Sequence, residues 1–280
     1  MTLATARRRA PRRIRSPWLA VLLVAGLFSG LFPAVPGAAA ADDFAAFGRV
    51  LERHVQAGAV AGIRTHLVDY GALAADADYQ AAVSALAAAK PDTLQGDAEK
   101  IAFWTNAYNL LAIKTVVDRY PVASIRDGGN LLFPIWKKDV GRVGGKEYSL
   151  DEIEHGILRR DFREPRVHMA LVCASLSCPD LRREVYRADR LDEQLNDQAA
   201  RFLANPTKGV RPESPARAEV SSIFRWFGGD FAEAGGVAAW IRAHAPPALR
   251  EQIGKLTDDG LSWLDYDWSL NDSARAGKGS

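Results

Sequence analysis

The sequence predicts an α+β fold: a single, mainly helical domain with a small, largely antiparallel sheet. Long amphipathic stretches recur along the chain, short strand-like runs interrupt them, and a glycine pair marks a hairpin turn. No internal repeat and no linker divides the chain. We therefore expect one domain over residues 42–272, a leader over 1–41 and a disordered tail over 273–280.

The leader has the three parts of a signal peptide. Its first sixteen residues carry six arginines and no acid, and the apolar run WLAVLLVAGLFSGLF and small residues near 39–41 follow. The apolar run is shorter than the ~20 residues of a spanning helix, which favours a cleaved leader over a membrane anchor. We expect export to the periplasm or out of the cell, with no membrane contact by the mature protein unless the leader is retained as an anchor.

The charge balance excludes one class of partner. The formal net charge is +2, and without the six leader arginines it is about −4. The basic character therefore belongs to the leader, and the body shows no footprint for nucleic acid.

Local signals place the elements in order along the body. DFAAFGRVLERHV has helical spacing, and RTHLVDYGALAADADYQAAVSALAAA predicts a short extended piece and then an alanine-rich helix. DAEKIAFWTNAYNLLAIKTVVDRY predicts the longest helix, and FPIWKKDVGRVGGKEYSL predicts a hairpin that turns at Gly144-Gly145. Ser149 and Glu152 form a capping-box pattern for a helix that reaches about Arg160.

The second half continues the alternation. RVHMALVC predicts a strand, SCPDLRREVY a short helical piece, and ADRLDEQLNDQAARFLAN a helix. EVSSIFRWFGGDF, a helix VAAWIRAHA and LSWLDYDWSLN complete the domain. We interpret the aromatic residues of WFGGDF and YDWSLN as core and closing strand, not as a stack for a ligand.

One helix carries candidate polar site residues. On a wheel of ~100° per residue, Glu154 falls inside the apolar stripe of this helix, and His155 lies on its flank one turn after Asp151. A carboxylate facing the core is costly unless it is paired or protonated. Glu154 therefore needs a partner, in a buried salt bridge or in a functional site.

The stretch HMALVCASLSCP holds the two cysteines of the chain. In a strand, His168 and Cys173 point to opposite faces about 16 Å apart, so they cannot pair. We expect His168 to be a core histidine that meets Glu154, and His155 to be the partner of Cys173. Cys173 is the favoured nucleophile, whereas Cys178 before Pro179 suits a helix cap, where the dipole favours a thiolate.

Other interpretations of the cysteines stay open. An exported protein permits a disulfide between Cys173 and Cys178, although five positions close only a small loop. A redox pair is a further alternative, although C-x4-C departs from C-x-x-C. C-x4-C without a second pair matches no standard zinc spacing, so we expect no metal and no cofactor.

Two asparagines share one side of the longest helix. Asn106 and Asn109 are three positions apart. Buried amides usually serve as structural ties, which is the favoured interpretation here. In a thiol enzyme one of them would instead help to bind an oxyanion.

Several motifs together resemble a known family. FWTNAYN, YSLDEIEHGILR, PRVHMALVCASLSCP, LDEQLNDQAARFL, IFRWFGGDF and LDYDWSLN occur in this order. In these motifs the chain is similar to the family known as domain of unknown function 547, over nearly all of the body. The resemblance implies a single domain with a shared polar site at Glu154, His155, His168, Cys173 and Cys178, and it implies no substrate.

The leading hypothesis is an exported cysteine-dependent hydrolase or transferase for an amide, thioester or peptide-like substrate. Cys173 is the nucleophile, His155 the base, and Glu154 or Asp151 orients the site. A distant papain-like or transglutaminase-like architecture is a fold-level analogy. The alternatives are a non-catalytic binding module for a small thiol or peptide, with a structural Cys173–Cys178 pair, and a thiol redox protein.

Overall fold

The computed structural model describes residues 44–130 and 134–276, which all belong to one compact unit. The predicted leader, residues 1–41, lies outside this part of the chain. No helix among the described residues has the length and apolar character needed to span a membrane. The α-helices of the described part are α1 (Ala45–His54), α2 (Tyr70–Leu73), α3 (Ala77–Ala88), α4 (Gly96–Val117), α5 (Arg160–Phe162), α6 (Leu191–Leu203), α7 (Ser222–Trp226), α8 (Val237–His244) and α9 (Pro247–Gln252).

Three small sheets accompany these helices, where the sequence predicted one. The first two are antiparallel hairpins, and the third joins β5 and β6 antiparallel and β6 and β7 parallel. The predicted α+β class is therefore confirmed, with most strand pairs antiparallel. The strands are β1 (Val55–Val60), β2 (Ile63–Val68), β3 (Asp139–Val143), β4 (Lys146–Ser149), β5 (Val210–Ser214), β6 (Arg217–Val220) and β7 (Leu261–Trp263).

The helix α4 forms the centre of the larger core. Every residue from Ile101 to Ile113 is buried, so this helix is packed on all sides and not along one stripe. A second core lies around Trp240, Phe224 and Phe231, between α6, α7 and α8. The predicted helix over residues 97–120 is thus confirmed, and its burial explains why its sequence is apolar all round.

The hairpin β3–β4 turns where the sequence predicted. Gly144 and Gly145 have φ of 59° and 82°, in the left-handed region that a glycine enters without steric cost. The capping box after the hairpin is also confirmed. Glu152 accepts from the Ser149 N–H at 2.9 Å, and the Glu152 N–H donates to Ser149 Oγ at 3.1 Å.

The helix that follows this cap differs from the prediction in its winding. Glu152–Arg159 form a π-helix, whose hydrogen bonds run from i to i+5. A wheel drawn at 100° per residue therefore misplaces the residues of its later turns. The π-helix is rare in proteins, and where it occurs it is frequently part of a functional site.

The predicted strand over residues 166–173 is wrong. Pro165–Met169 form a 3₁₀-helix, which Glu164 caps by accepting from the Arg166 N–H at 3.0 Å, and residues 171–173 are irregular. Val167 through Val172 are buried without the alternation of a strand. The short helical piece predicted over 177–186 is also wrong, because no helix begins before Ala188.

The chain end departs in part from the predicted tail. Ser273–Arg275 form a short 3₁₀-helix, and the Asp272 side chain caps it by accepting from the Ala274 N–H. Residues 277–280 lie outside the described part of the chain.

Candidate active site

A small cavity brings both cysteines together with several polar side chains. Its volume is about 100 Å³. We call it the thiol cavity. Its lining combines two thiols, a carboxyl, two tyrosine hydroxyls and an imidazole with aromatic and aliphatic side chains: Tyr108, Trp136, Glu154, His168, Leu171, Cys173, Cys178, Ile223, Trp226, Phe227, Tyr266 and Trp268.

The two cysteines are in direct contact. Their Sγ atoms lie 2.6 Å apart, and the backbone N–H of Cys173 donates to Cys178 Sγ at 2.9 Å. Both are free cysteines; Cys178 is buried, and Cys173 is half-buried. This separation is shorter than the van der Waals contact of two sulfurs and longer than the S–S bond of about 2.05 Å, so the geometry places the pair within reach of an intramolecular disulfide.

A tight loop makes this contact. Ala174 has φ of 60°, an unfavourable conformation for a residue with a Cβ, and the Cys178 N–H donates to the Ser175 carbonyl at 3.2 Å. The chain thus folds back on itself between the cysteines. A backbone outlier at such a position is often part of a functional site.

The C-terminal segment holds this loop from outside. Ser175 forms an antiparallel bridge with Leu270, and the Leu176 N–H donates to the Ser269 carbonyl at 2.9 Å. The Asn271 N–H donates to the Ala174 carbonyl at 3.0 Å. Residues more than 90 positions downstream therefore hold the loop that connects the two cysteines.

The two asparagines of α4 hydrogen-bond to the backbone of distant segments. Asn109 donates to the Ala170 carbonyl at 3.0 Å and accepts from the Val172 N–H at 2.9 Å. Asn106 clamps the backbone N–H and carbonyl of Tyr186 in the same way. Both side-chain amides hydrogen-bond to backbone groups, which gives no support to a role in binding an oxyanion. Asn109 instead positions the segment that leads to Cys173.

The electrostatics of the pair favour a thiolate at Cys178. Burial raises its pKa, but hydrogen bonds from the thiol of Cys173, the hydroxyl of Tyr266 and the N–H of Cys173 lower the pKa to about 6. The pKa of Cys173 is raised well above its usual range, because its thiol hydrogen-bonds to Cys178 and is buried. No helix begins at Pro179, so no helix dipole acts on Cys178, and the N–H of Cys173 stabilises the thiolate instead.

The side chain of Glu154 also lines this cavity, and the pKa of its carboxyl is unusually high. Burial raises its pKa to about 7, although Tyr108 donates to its Oε2 at 3.3 Å and Arg159 is nearby. A carboxyl with a pKa near neutrality accepts and returns protons at working pH. The partner that the sequence required is thus a tyrosine and not the expected His168.

His168 reaches the thiol cavity, contrary to the expectation from strand alternation. Because residues 165–169 are a 3₁₀-helix, His168 and Cys173 line one cavity and do not point to opposite faces. His168 Nε2 lies 2.7 Å from Asp230 Oδ2, and its ring stacks on Phe227 at 4.3 Å. An ionised carboxylate only accepts, so Nε2 carries the proton and Nδ1 is the basic atom of the neutral ring.

Asp230 links this histidine to a second cavity of about 560 Å³, to which His168 also contributes. Arg159 donates to both carboxylate oxygens of Asp230, at 2.7 and 2.9 Å. The hydrogen bonds from His168 and from Arg159 hold the pKa of Asp230 well below its usual range. Burial lowers the pKa of His168, which favours its neutral form.

His155, the expected base, lies elsewhere. Its Nδ1 accepts from Arg159 at 2.9 Å, its Nε2 is 3.7 Å from Asp151, and it is absent from the lining of the thiol cavity. Cys173 instead contacts Cys178, Ser175 and Tyr266. Within the described residues, no hydrogen bond joins His155 to either cysteine.

Sequence reasoning missed the aromatic side of the cavity. Trp226, Tyr266 and Trp268 line it, although their motifs were interpreted as core and closing strand. The signal was available in the composition, because five aromatic residues occur in two short motifs in the last third of the chain. Among the described residues, no group of three or more His, Cys, Asp and Glu side chains is placed to hold a metal ion.

Residues 91–203 match the family model described as Protein of unknown function, DUF547. This stretch belongs to the DUF547 family. The resemblance seen in the sequence is confirmed, over a shorter span than expected. No curated protein and no solved structure matches the chain.

The DUF547 stretch and the following segments contribute different parts of the cavity. Tyr108, Glu154, His168, Cys173 and Cys178 all lie within residues 91–203. Five further lining side chains, four of them aromatic, come after the DUF547 stretch: Ile223, Trp226, Phe227, Tyr266 and Trp268.

Proposed function

We propose that the chain is a thiol–disulfide exchange protein that uses Cys173 and Cys178 as a reversible dithiol. The observation that carries the proposal is the contact of the two sulfurs at 2.6 Å in a lined cavity, with a backbone N–H aimed at one of them. Thiol–disulfide exchange needs one thiolate and one nearby thiol, and this pair supplies both.

The reaction has two steps. The thiolate of Cys178 attacks one sulfur of a substrate disulfide, a mixed disulfide forms, and the other substrate sulfur leaves as a thiolate that takes up a proton. Cys173 then loses its proton and attacks Cys178 Sγ. The second substrate thiol departs, the substrate disulfide is reduced to two thiols, and the dithiol is oxidised to a Cys173–Cys178 disulfide.

Glu154 supports the second step as proton acceptor. Its carboxyl, with a pKa of about 7, lies in the same cavity as both sulfurs. It takes the Cys173 proton, directly or through water, and passes it to the departing thiolate. The low polarity of the cavity lining keeps the pKa of this carboxyl near neutrality, so that it accepts a proton and releases it again readily.

Trapping the mixed disulfide tests the function. C173S leaves the attacking thiolate and removes the resolving thiol, so it accumulates a covalent adduct at Cys178 with a peptide disulfide, seen by intact mass and peptide mapping. C178S forms no such adduct. Absence of an adduct in C173S, with the variant folded and its thiol free, contradicts the proposal.

The second candidate is the cysteine hydrolase or transferase. The favouring observation is that a carboxyl with raised pKa and a carboxylate-bound histidine share the cavity with the thiols. In this case His168 takes the place that the sequence assigned to His155. A covalent acyl adduct on a cysteine after incubation with an activated thioester, followed by steady release of acid, supports this candidate over exchange.

A further inference from the structure

The aromatic side of the thiol cavity forms a continuous wall. Trp226 stacks on Trp268 with ring centroids 5.6 Å apart and an interplanar angle of 22°. Tyr266 packs against both rings, with its centroid 4.8 Å from that of Trp226 and 4.6 Å from that of Trp268, and Trp136 packs edge-on against Trp268 at 5.5 Å. Because each of these four rings packs against another, they form one preformed apolar surface next to the sulfurs, which we call the wall.

One member of the wall is open to solvent. Trp226 is 46% exposed, and among the described residues only Trp263, at 37%, is another exposed large hydrophobic residue. Trp263 is absent from the cavity lining. Tryptophan is a frequent anchor of binding surfaces, since its large ring buries much apolar area at a low cost in conformational entropy.

The size of the cavity limits what enters it. At about 100 Å³ it is smaller than the 300–1,000 Å³ pockets that enclose a small-molecule ligand. One sulfur-bearing group therefore reaches the thiols, and the rest of the substrate remains outside. Of the residues that line the cavity, Trp226 alone is exposed, so it offers the surface on which the rest of the substrate can pack.

We propose that the wall selects peptide or protein disulfides in which an apolar side chain neighbours the reacting cysteine, with Trp226 as the specificity-determining residue. The inference rests on the proposed exchange function. The cysteine sulfur enters the thiol cavity, and the neighbouring apolar side chain packs on the exposed face of Trp226. A small hydrophilic disulfide gains nothing from this contact.

The first test compares two peptide disulfides of equal length and charge, with Phe or Gly next to the cysteine. The wild type exchanges the Phe peptide about tenfold faster in kcat/KM, the factor expected for burial of one aromatic contact. W226A abolishes this preference, so that the two peptides exchange at equal rates. W263A is the matched control and keeps the preference. Equal rates for both peptides in the wild type, or the same loss in W263A, overturn the proposal.

A second measurement separates this proposal from the exchange chemistry. Peptides with Ser in place of the cysteine cannot react, so their binding, measured by calorimetry, reports on the wall alone. The Phe-Ser peptide binds about tenfold tighter than the Gly-Ser peptide to the wild type but not to W226A. If this difference in affinity is found but no exchange occurs, the proposed exchange function is wrong and the proposed binding site at Trp226 is supported. Equal affinities overturn the site even where exchange is found.

Discussion

The backbone N–H of Cys173 points at the sulfur of Cys178, 2.9 Å away, while the two sulfurs lie 2.6 Å from each other. This arrangement stabilises negative charge on Cys178 in a place where burial alone opposes it. It ties the reactivity of one cysteine to the presence of the other.

The first prediction concerns ionisation of the dithiol. In the reduced protein, alkylation of Cys178 by iodoacetamide reaches half its maximal rate near pH 6, well below the usual thiol pKa of about 8.5. C173A raises this midpoint because the thiol donor is lost. Peptide mapping by mass spectrometry at each pH gives both midpoints. A midpoint that C173A leaves unchanged contradicts the coupling.

The second prediction concerns Glu154 and stability. Its pKa is about 7 in the folded protein against 4.5 as the ordinary value, so the folded state binds more protons between these limits. The free energy of unfolding therefore falls as pH rises from about 4.5 to 7, by up to about 3 kcal/mol from this group.

E154Q provides the comparison, because glutamine stays neutral. Urea unfolding of both proteins across this range should show wild type losing stability relative to E154Q as pH rises. A constant difference between the two would mean that Glu154 ionises with an ordinary pKa.

The third prediction concerns a buried ion pair behind the cysteine loop. Lys208 Nζ donates to Asp180 Oδ1 at 2.6 Å and to Thr65 Oγ1 at 2.8 Å, and the Lys208 side chain is fully buried. K208M leaves the carboxylate of Asp180 short of a counter-charge. We expect a loss of roughly 3 kcal/mol in the free energy of unfolding.

The matched controls are a double variant and an exposed pair. K208M/D180N removes both charges and should recover part of the loss. R142M breaks the exposed pair of Arg142 with Glu147 and should cost under about 1 kcal/mol. Equal effects of K208M and R142M in urea unfolding would refute the importance of burial.

The fourth prediction separates the two candidate histidines. H155A should leave the rate of disulfide exchange within about twofold of wild type, since His155 contacts Arg159 and Asp151 but does not line the thiol cavity. H168A should slow exchange more than H155A does, since His168 lines the thiol cavity together with Glu154 and both cysteines. Stopped-flow exchange at pH 7 measures both. A larger effect of H155A than of H168A would restore the sequence-based assignment.

Elements with local signals were predictable from the sequence. The helix α1 follows from its apolar spacing, and the β3–β4 turn follows from Gly144 and Gly145, which occupy conformations that disfavour a side chain. The Ser149–Glu152 cap follows from two side chains three positions apart. In each case the residues that form the element also carry the sequence signal that predicts it.

The cavity depended on contacts between distant residues. Val172 and Ala170 bond to Asn109, more than 60 positions away, so an apolar run typical of a strand never joins a sheet. His168 hydrogen-bonds to Asp230, which lies 62 positions downstream. No local pattern distinguishes these partners from other polar residues, and the π-helix at Glu152–Arg159 likewise has no sequence signature.

The most direct test of the central claim is the redox titration of the dithiol. The native protein is equilibrated in buffers of graded glutathione ratio, quenched with acid, alkylated and analysed by mass. We expect Cys173 and Cys178 to lose their free thiols together, in one reversible two-electron transition of about 30 mV per tenfold change, with an intramolecular disulfide as product. Independent loss of the two thiols, or glutathione adducts without an internal disulfide, would contradict the account.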